Sequence, residues 1–359
     1  MAVTQRDIAT KLGISQSLVA GVLGDKPGVW VSDQKRLLIV DTARDLGYRP
    51  NAAARMLRSG TSNTVAFVTL RARGFEQAQI IEVLAGFLQE IRYELSLKIY
   101  AEQSELLLGL EEMVRSGACA AVFLDGAEGQ VEEQARLLER LSMPFIVKGR
   151  FERTNPTWPQ VDFDHERMMD ESVRRLVEQG HHRIAYLGYA SSLAFAGCLQ
   201  AGFTQSMLDR LSVNVSPDDI GLVTDPHLEC ALAQTEAWLS RRDGTVPTAL
   251  VVGATSEATW RGIELALARR GRVMGSRPED FMVTGLHYER QPLLFGQAQV
   301  FSGIDALHLT DAMCRQLLAP ILQKRSLEQP IVRIFPNWRS LDSLELLNTV
   351  EFRRNHMEG

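Results

Sequence analysis

Along the first fifty residues the apolar positions recur at helical spacing; from residue 63 the pattern changes to short apolar runs separated by helical stretches. Ile8, Ala9 and Leu12 give one apolar side to a first helix. Thr4 can cap it, with Asp7 reaching back to the freed amides, and Gly13 ends it. After Ile14, Ser15 can cap a second short helix, Gln16 to Leu23, with Leu18, Val19, Val22 and Leu23 turned inward. A third runs from a Ser32 cap through Leu37, Leu38, Val40, Ala43 and Leu46 to Gly47. Two helices joined by a tight Gly-containing turn make a helix-turn-helix, whose second helix enters a DNA major groove.

Beyond residue 63, apolar runs at Thr64–Leu70, Leu97–Tyr100, Ala120–Leu124 and Phe145–Val147 alternate with helical stretches near 78–93, 103–116 and 130–141. A second series begins at Val161–Phe163 and continues with Ile184–Leu187, Ile220–Val223, Ala249–Val252, Met282–Thr284 and Val300–Ser302. Helices near 165–179, 192–210, 228–241, 256–270 and 305–324 separate these runs. Units of this size build mostly parallel sheets covered by helices on both faces. The expected fold is a three-helix head on an α/β core of two lobes. A length of 359 residues suits that division.

Charge separates the two parts. Residues 1–62 hold nine Lys or Arg against five Asp, a net +4 in a chain of net −5, so the remainder carries −9. A basic head on an acidic body suits a phosphate-binding module joined to a domain that does not bind nucleic acid. No run of 18 apolar residues occurs, and the chain opens directly in the helix-turn-helix without a signal region, so a cytoplasmic protein with no membrane partner is expected. Cys119, Cys198, Cys230 and Cys314 are too dispersed for a metal site or a disulfide framework and read as reduced thiols.

The segment behind the third helix narrows the reading. Thr4-x-x-Asp7-Ile8-Ala9, Gly13-Ile14-Ser15 and Gly47-Tyr48-x-Pro50-Asn51-x-x-Ala54-Arg55-x-Leu57 resemble the LacI/GalR family of bacterial transcription regulators. The likeness extends to about residue 340 and is strong again at Gly180-His181-His182-Arg183-Ile184-Ala185. The resemblance implies a helix-turn-helix over 1–49, a hinge over 50–62, a two-lobed periplasmic-binding-protein-like core over 63–340 for effector binding and dimerisation, with chain crossovers near 160 and again near 290–335, and a tail over 341–359. It also implies that the hinge folds on operator DNA and that Leu57 wedges into a minor-groove base step, where unstacking is offset by a bent, more widely contacted duplex. The implied DNA-facing set is Thr4, Gln5, Gln16, Ser17, Arg36, Asn51, Ala54, Arg55 and Leu57, with Arg36 suited to a phosphate. Two heads and two wedges imply a homodimer on a roughly palindromic site.

The recognition helix departs from the family. Gln16 and Ser17 stand where base-reading side chains are expected, and Gln can pair with adenine through two hydrogen bonds. Gly21 replaces an Arg that could have read guanine, and Gly24 replaces an Asn; an interior Gly weakens a helix by up to about 1 kcal/mol relative to Ala. The connection Asp25–Val31 is longer than usual and exposes Trp30.

Effectors in such folds sit beyond the carboxyl ends of the strands, between the lobes. The candidates there are Arg71, Arg73 and Phe75 after the first strand, Arg150 after the fourth, and Asp164 after the crossover. Leu199, Ser256-Glu257 and His287 occupy positions where the family commonly has an Arg, an Asn-Asp and an Asp. Losing both the Arg and the Asp argues against an ordinary sugar effector. Arg71, Arg73 and Arg150 suit either an anionic ligand or surface ion pairs, and a site with no effector is the further alternative. His287 is as readily a plain loop residue.

His181 reads as structural. Asp162-Phe163-Asp164-His165 lacks the partners a metal needs, and Leu106–Leu110 reads as a core-facing helix. No phosphate-binding or nucleophile motif occurs, so neither an enzyme nor a cofactor is expected. The sequence therefore points to a DNA-binding regulator, a repressor modulated by a small ligand. A small-molecule binding protein with a degenerate head and an α/β enzyme with a helical extension stand as alternatives.

Overall fold

The computed structural model describes residues 3–24, 28–48, 62–70, 74–126, 131–149, 157–190, 194–224, 227–242, 244–254, 256–275, 277, 280–287, 296–301 and 306–342. The chain divides into two compact units, Met1–Thr61 and Ser62–Gly359. Ser62 already belongs to the second, its hydroxyl donating to the Ala118 carbonyl at 3.0 Å.

Among the described residues the first unit has three helices, α1 (Gln5–Leu12), α2 (Gln16–Leu23) and α3 (Asp33–Asp45). Thr4 and Asp7 close a reciprocal capping box: the Thr4 amide donates to Asp7 Oδ2 at 2.8 Å and the Asp7 amide to Thr4 Oγ1 at 3.4 Å. Gly13, at φ 63°, supplies the left-handed turn that ends α1. Ser15 and Ser32 cap the next two helices, accepting from the Leu18 and Lys35 amides. Ile8, Ala9, Val19, Val22, Ile39 and Ala43 form the core of this unit. On α3 the buried stripe is Ile39, Thr42 and Ala43, while Leu37, Leu38 and Val40 face solvent. Only one stripe of a 3.6-residue helix can meet the α1–α2 pair.

The second unit holds two six-stranded sheets wound alike. The first has the order β11-β5-β4-β3-β1-β2, all parallel, from β1 (Thr64–Leu70), β2 (Glu94–Tyr100), β3 (Ala121–Asp125), β4 (Phe145–Lys148), β5 (Gln160–Phe163) and β11 (Ile331–Ile334). The second has the order β12-β10-β9-β8-β6-β7, from β6 (Ile184–Tyr189), β7 (Ile220–Val223), β8 (Ala249–Val252), β9 (Met282–Leu286), β10 (Gln297–Phe301) and β12 (Trp338–Asp342), with β12 antiparallel.

Helices α4 (Gly74–Glu90), α5 (Gln103–Arg115) and α6 (Val131–Arg140) cover the first sheet. Helices α7 (His165–Glu178), α8 (Ala194–Leu211), α9 (His227–Leu239) and α10 (Glu257–Arg269) cover the second. Helix α11 (Ala306–Met313) follows the second sheet but packs on α4 of the first lobe. Beyond it the helix widens into a π segment, Cys314–Leu318, directly before a last turn, Ala319–Leu322, that contains Pro320. Proline has no amide to continue the regular ladder, which accounts for the irregularity there. One apolar cluster spans both lobes, joining Val65, Phe67 and Phe123 with Tyr186, Phe203 and Met313.

Three differences from the sequence-based expectation follow from long-range pairing. Val161–Phe163 does not open the second sheet; it lies in the first, between β4 and β11. Strands β11 and β12 were not expected, since Arg333 in β11 and Arg339, Ser340 and Asp342 in β12 leave no continuous apolar run. β12 also extends the core through Asp342, into the expected tail, and residues 343–359 lie outside the described residues.

Other expectations agree with the structure. Leu106 and Leu110 are buried in the first lobe. Gly180 turns the chain at φ 87°, and His181 Nδ1 lies 3.0 Å from Thr248 Oγ1 beside the start of β6. Cys119 and Cys314 are buried free thiols, pushed up by burial to about 11 and about 12, whereas Cys198 and Cys230 are half-buried. Among the described residues no helix is long and apolar enough to cross a membrane.

Candidate DNA interface and inter-lobe site

On the head, the Ser15 cap leaves Gln16 and Ser17 exposed on the first turn of α2, with Ser17 Oγ 3.0 Å from Ser15 Oγ. Arg36 is half-buried on α3. Thr4 is engaged in the capping box, its hydroxyl donating to Asp7 Oδ2 at 2.8 Å. Half-buried Gln5 carries a buried amide oxygen without a hydrogen bond. Gly21 is buried because Val29 lies over it: a Cβ there would meet Val29 Cγ2 at 2.7 Å and Cγ1 at 3.2 Å. Asn51, Ala54, Arg55 and Leu57 lie outside the described residues.

In the core unit, the carboxyl ends of β1, β3 and β4 converge on a buried polar cluster. Gln77 Nε2 donates to Asp125 Oδ2 at 2.5 Å and to Thr69 Oγ1 at 3.1 Å, and Thr69 Oγ1 donates to the same carboxylate oxygen at 3.4 Å. Lys148 Nζ lies 3.5 Å from Asp125 Oδ1, the two side chains being 9% and 0% exposed. Gly126 allows β3 and β4 to close here, since a Cβ on it would meet the Lys148 carbonyl oxygen at 2.6 Å. A buried ion pair returns little net stability after desolvation, and this one stands at the carboxyl ends of parallel strands, the end at which open α/β sheets hold ligands.

A run of rings joins the lobes at the carboxyl ends of β5 and β6. His165 packs 6.3 Å from Phe163 at the end of β5 and 6.0 Å from Phe195 on α8. Phe195 meets Tyr189 at the end of β6, at 6.1 Å, and Tyr189 meets His227 at the start of α9, at 5.6 Å. Buried Asp162 lies 3.5 Å from His165 Nδ1. No group of three or more side chains suited to a metal occurs among the described residues.

The sequence-derived cleft candidates fare unevenly. His287 stands at the end of β9, 2% exposed and edge-on to Trp260, whose Nε1 donates to the Leu286 carbonyl at 3.0 Å. Asp164 caps α7, accepting from the Arg167 amide at 3.2 Å, while its own amide donates to the Ile334 carbonyl at 3.0 Å and ties two crossovers together. Ser256 caps α10, and Glu257 pairs with Arg261 one turn on, at 3.5 Å.

Leu199 is 1% exposed and belongs to the shared core, so its side chain is not open to a ligand; burial on α8 beneath the second sheet decides this. Arg71, Arg73 and Arg150 lie outside the described residues, and Phe75 falls within α4 with its side chain outside them. Sequence reasoning missed Thr69, Gln77, Asp125, Lys148, Tyr189, Phe195 and His227. A signal existed for two of these, because Asp125 and Lys148 are charges that end otherwise apolar strand runs.

The comparisons with known proteins agree with this architecture. A sequence profile described as the periplasmic binding proteins and sugar binding domain of the LacI family matches residues 101–284, just over half of the chain. The HTH-type transcriptional regulator AglR of Rhizobium meliloti (strain 1021) is 27% identical over 281 residues, 77% of this chain and 76% of its own length. Catabolite control protein A of Priestia megaterium is 24% identical over 335 residues, 93% of this chain and 97% of its own. The Lac repressor dimer bound to operator and the anti-inducer ONPF shares the fold with a TM-score of 0.75, covering 95% of this chain and 98% of that one at 18% identity. By its matched core domain and its regulator relatives, this chain belongs to the LacI family.

Proposed function

We propose that the protein is a sequence-specific transcription regulator, a repressor that binds a near-palindromic operator as a homodimer and answers to a small ligand held between its lobes. The observation that carries the reading is the pairing of a capped recognition helix, with Gln16 and Ser17 exposed at its first turn, with a LacI-family core. The helix N-terminus presents free amides, and its polar side chains suit base edges. The relatives named as transcriptional regulators, and the Lac repressor bound to operator, support the same activity. Such an activity belongs in the cytoplasm, with the DNA.

The ligand's place in this reading is the carboxyl ends of the two sheets, where half-buried Gln77, Phe195 and Tyr189 stand, Gln77 against buried Asp125 and Phe195 against buried His165. A ligand preferring one lobe arrangement would shift operator affinity by its differential binding. Homodimerisation is supported by edge strand β2, which leaves Leu97 and Ile99 exposed beside α4.

Selection of duplexes from a random pool by the purified full chain at stated salt, beside a Leu57→Ala variant, tests the reading. A palindromic motif held far less tightly by the variant is expected. Failure to enrich any duplex under any ligand condition would leave a binding protein whose head no longer reads DNA.

A further inference from the structure

We propose that Trp30 contacts DNA and supplies, beside α2, the reading surface that Gly21 lacks; the inference rests on the regulator reading above. Trp30 is 96% exposed, the most exposed large apolar side chain among the described residues. Trp158, Trp238 and Trp260 are buried and Trp338 is half-buried. Tryptophan is enriched at interfaces, where its ring covers a large apolar area and its indole N–H finds a hydrogen-bond partner.

Its surroundings name the partner. Ser17 and Gly21 are one helical turn apart and share a face of α2, with about 6 Å of rise between them. Val29 closes over that face at Gly21, which seats it against the recognition helix and sets the next residue, Trp30, at its flank. Two residues further on, Ser32 caps α3, whose first two turns carry Lys35 and Arg36 and whose amino end favours an anion. An apolar ring between a groove-entering face and a phosphate-seeking helix end fits the sugar-phosphate strand that lines the groove. The indole face can cover a deoxyribose or a thymine methyl, and Nε1 can donate to a phosphate oxygen. The unit's excess of positive charge suits the same occupant.

The test uses the full chain and a duplex that the unaltered chain has enriched from a random pool. Trp30→Ala is expected to weaken binding about tenfold, and Trp30→Phe to retain most of the affinity, because the apolar face does the work. The duplex should also shield Trp30 from acrylamide, since its emission is the readily quenched part of the total. Circular dichroism of Trp30→Ala should match that of the parent, because the side chain is almost wholly exposed. Replacing each thymine by deoxyuridine in turn separates the two apolar sources. One sensitive position, lost in Trp30→Ala, assigns a thymine methyl; uniform tolerance assigns deoxyribose. Equal affinity of Trp30→Ala with unshielded fluorescence would overturn the contact alone. A chain that enriches no duplex would overturn the regulator reading first and the contact with it.

Discussion

Val29 fills the space that a side chain at Gly21 would need, its Cγ2 lying 2.7 Å from where a Cβ would stand. The residue that weakens α2 by propensity therefore also lets the following segment seat on it. Gly21→Ala should gain up to about 1 kcal/mol of helix propensity and lose more to overpacking, about 1–3 kcal/mol, for a net destabilised head. Val29→Ala in the same chain should recover that loss. Amide exchange along α2 in the two single variants and the double variant reads the coupling, and purely additive effects would refute the contact's role.

The Asp125–Lys148 pair should behave as a buried charge couple. Lys148→Met leaves the carboxylate with only the Gln77 and Thr69 donors and should destabilise the core by about 3 kcal/mol, whereas Asp125→Leu combined with Lys148→Met should return most of it. Urea unfolding gives both values. A single variant as stable as the parent would contradict the burial argument.

Helices α7 and α8 are pinned by Asp170, which accepts from Arg210 Nε at 2.9 Å, Arg210 Nη2 at 2.7 Å and Ser206 Oγ at 2.7 Å. The Arg210 hydrogen bonds, ahead of opposing desolvation and the Ser206 bond, hold this carboxyl below its ordinary value of 3.8. A lowered folded value means that the stabilisation is present above the unfolded pKa and lost as pH falls through the folded one. Asp170→Asn should therefore melt a few degrees below the parent at neutral pH, with the gap closing in strong acid. A gap that does not vary with pH would argue against the ion pair as its source.

Leu97→Glu with Ile99→Lys should shift the protein toward monomer in sedimentation velocity, because β2 is an edge strand whose exposed apolar pair would then carry charge. Operator binding should weaken in parallel, since a palindromic site needs two heads. An unchanged dimer would move the interface to another face.

Local features were legible in the chain alone. Thr4 with Asp7, Gly13, Ser15 and Ser32 announced the ends of three helices, because capping joins groups only a few residues apart. The apolar runs of β1, β7 and β8 appeared at their observed bounds, since an uninterrupted apolar run is a short local signal.

The chain alone thus determined its helices, most of its strands and its family, all written in local spacing and motif. Only tertiary structure decided that Ile39 rather than Leu37 faces inward, that β5 joins the first sheet, and that α11 returns to pack on α4. It also decided that Leu199 is core, that Asp164 is a cap, and that Asp125 meets Lys148. The physical reason is common to all of these. Neighbours brought together by sheet order and helix packing are separated by many residues, and a period of two or 3.6 carries no information about which distant surface will cover it.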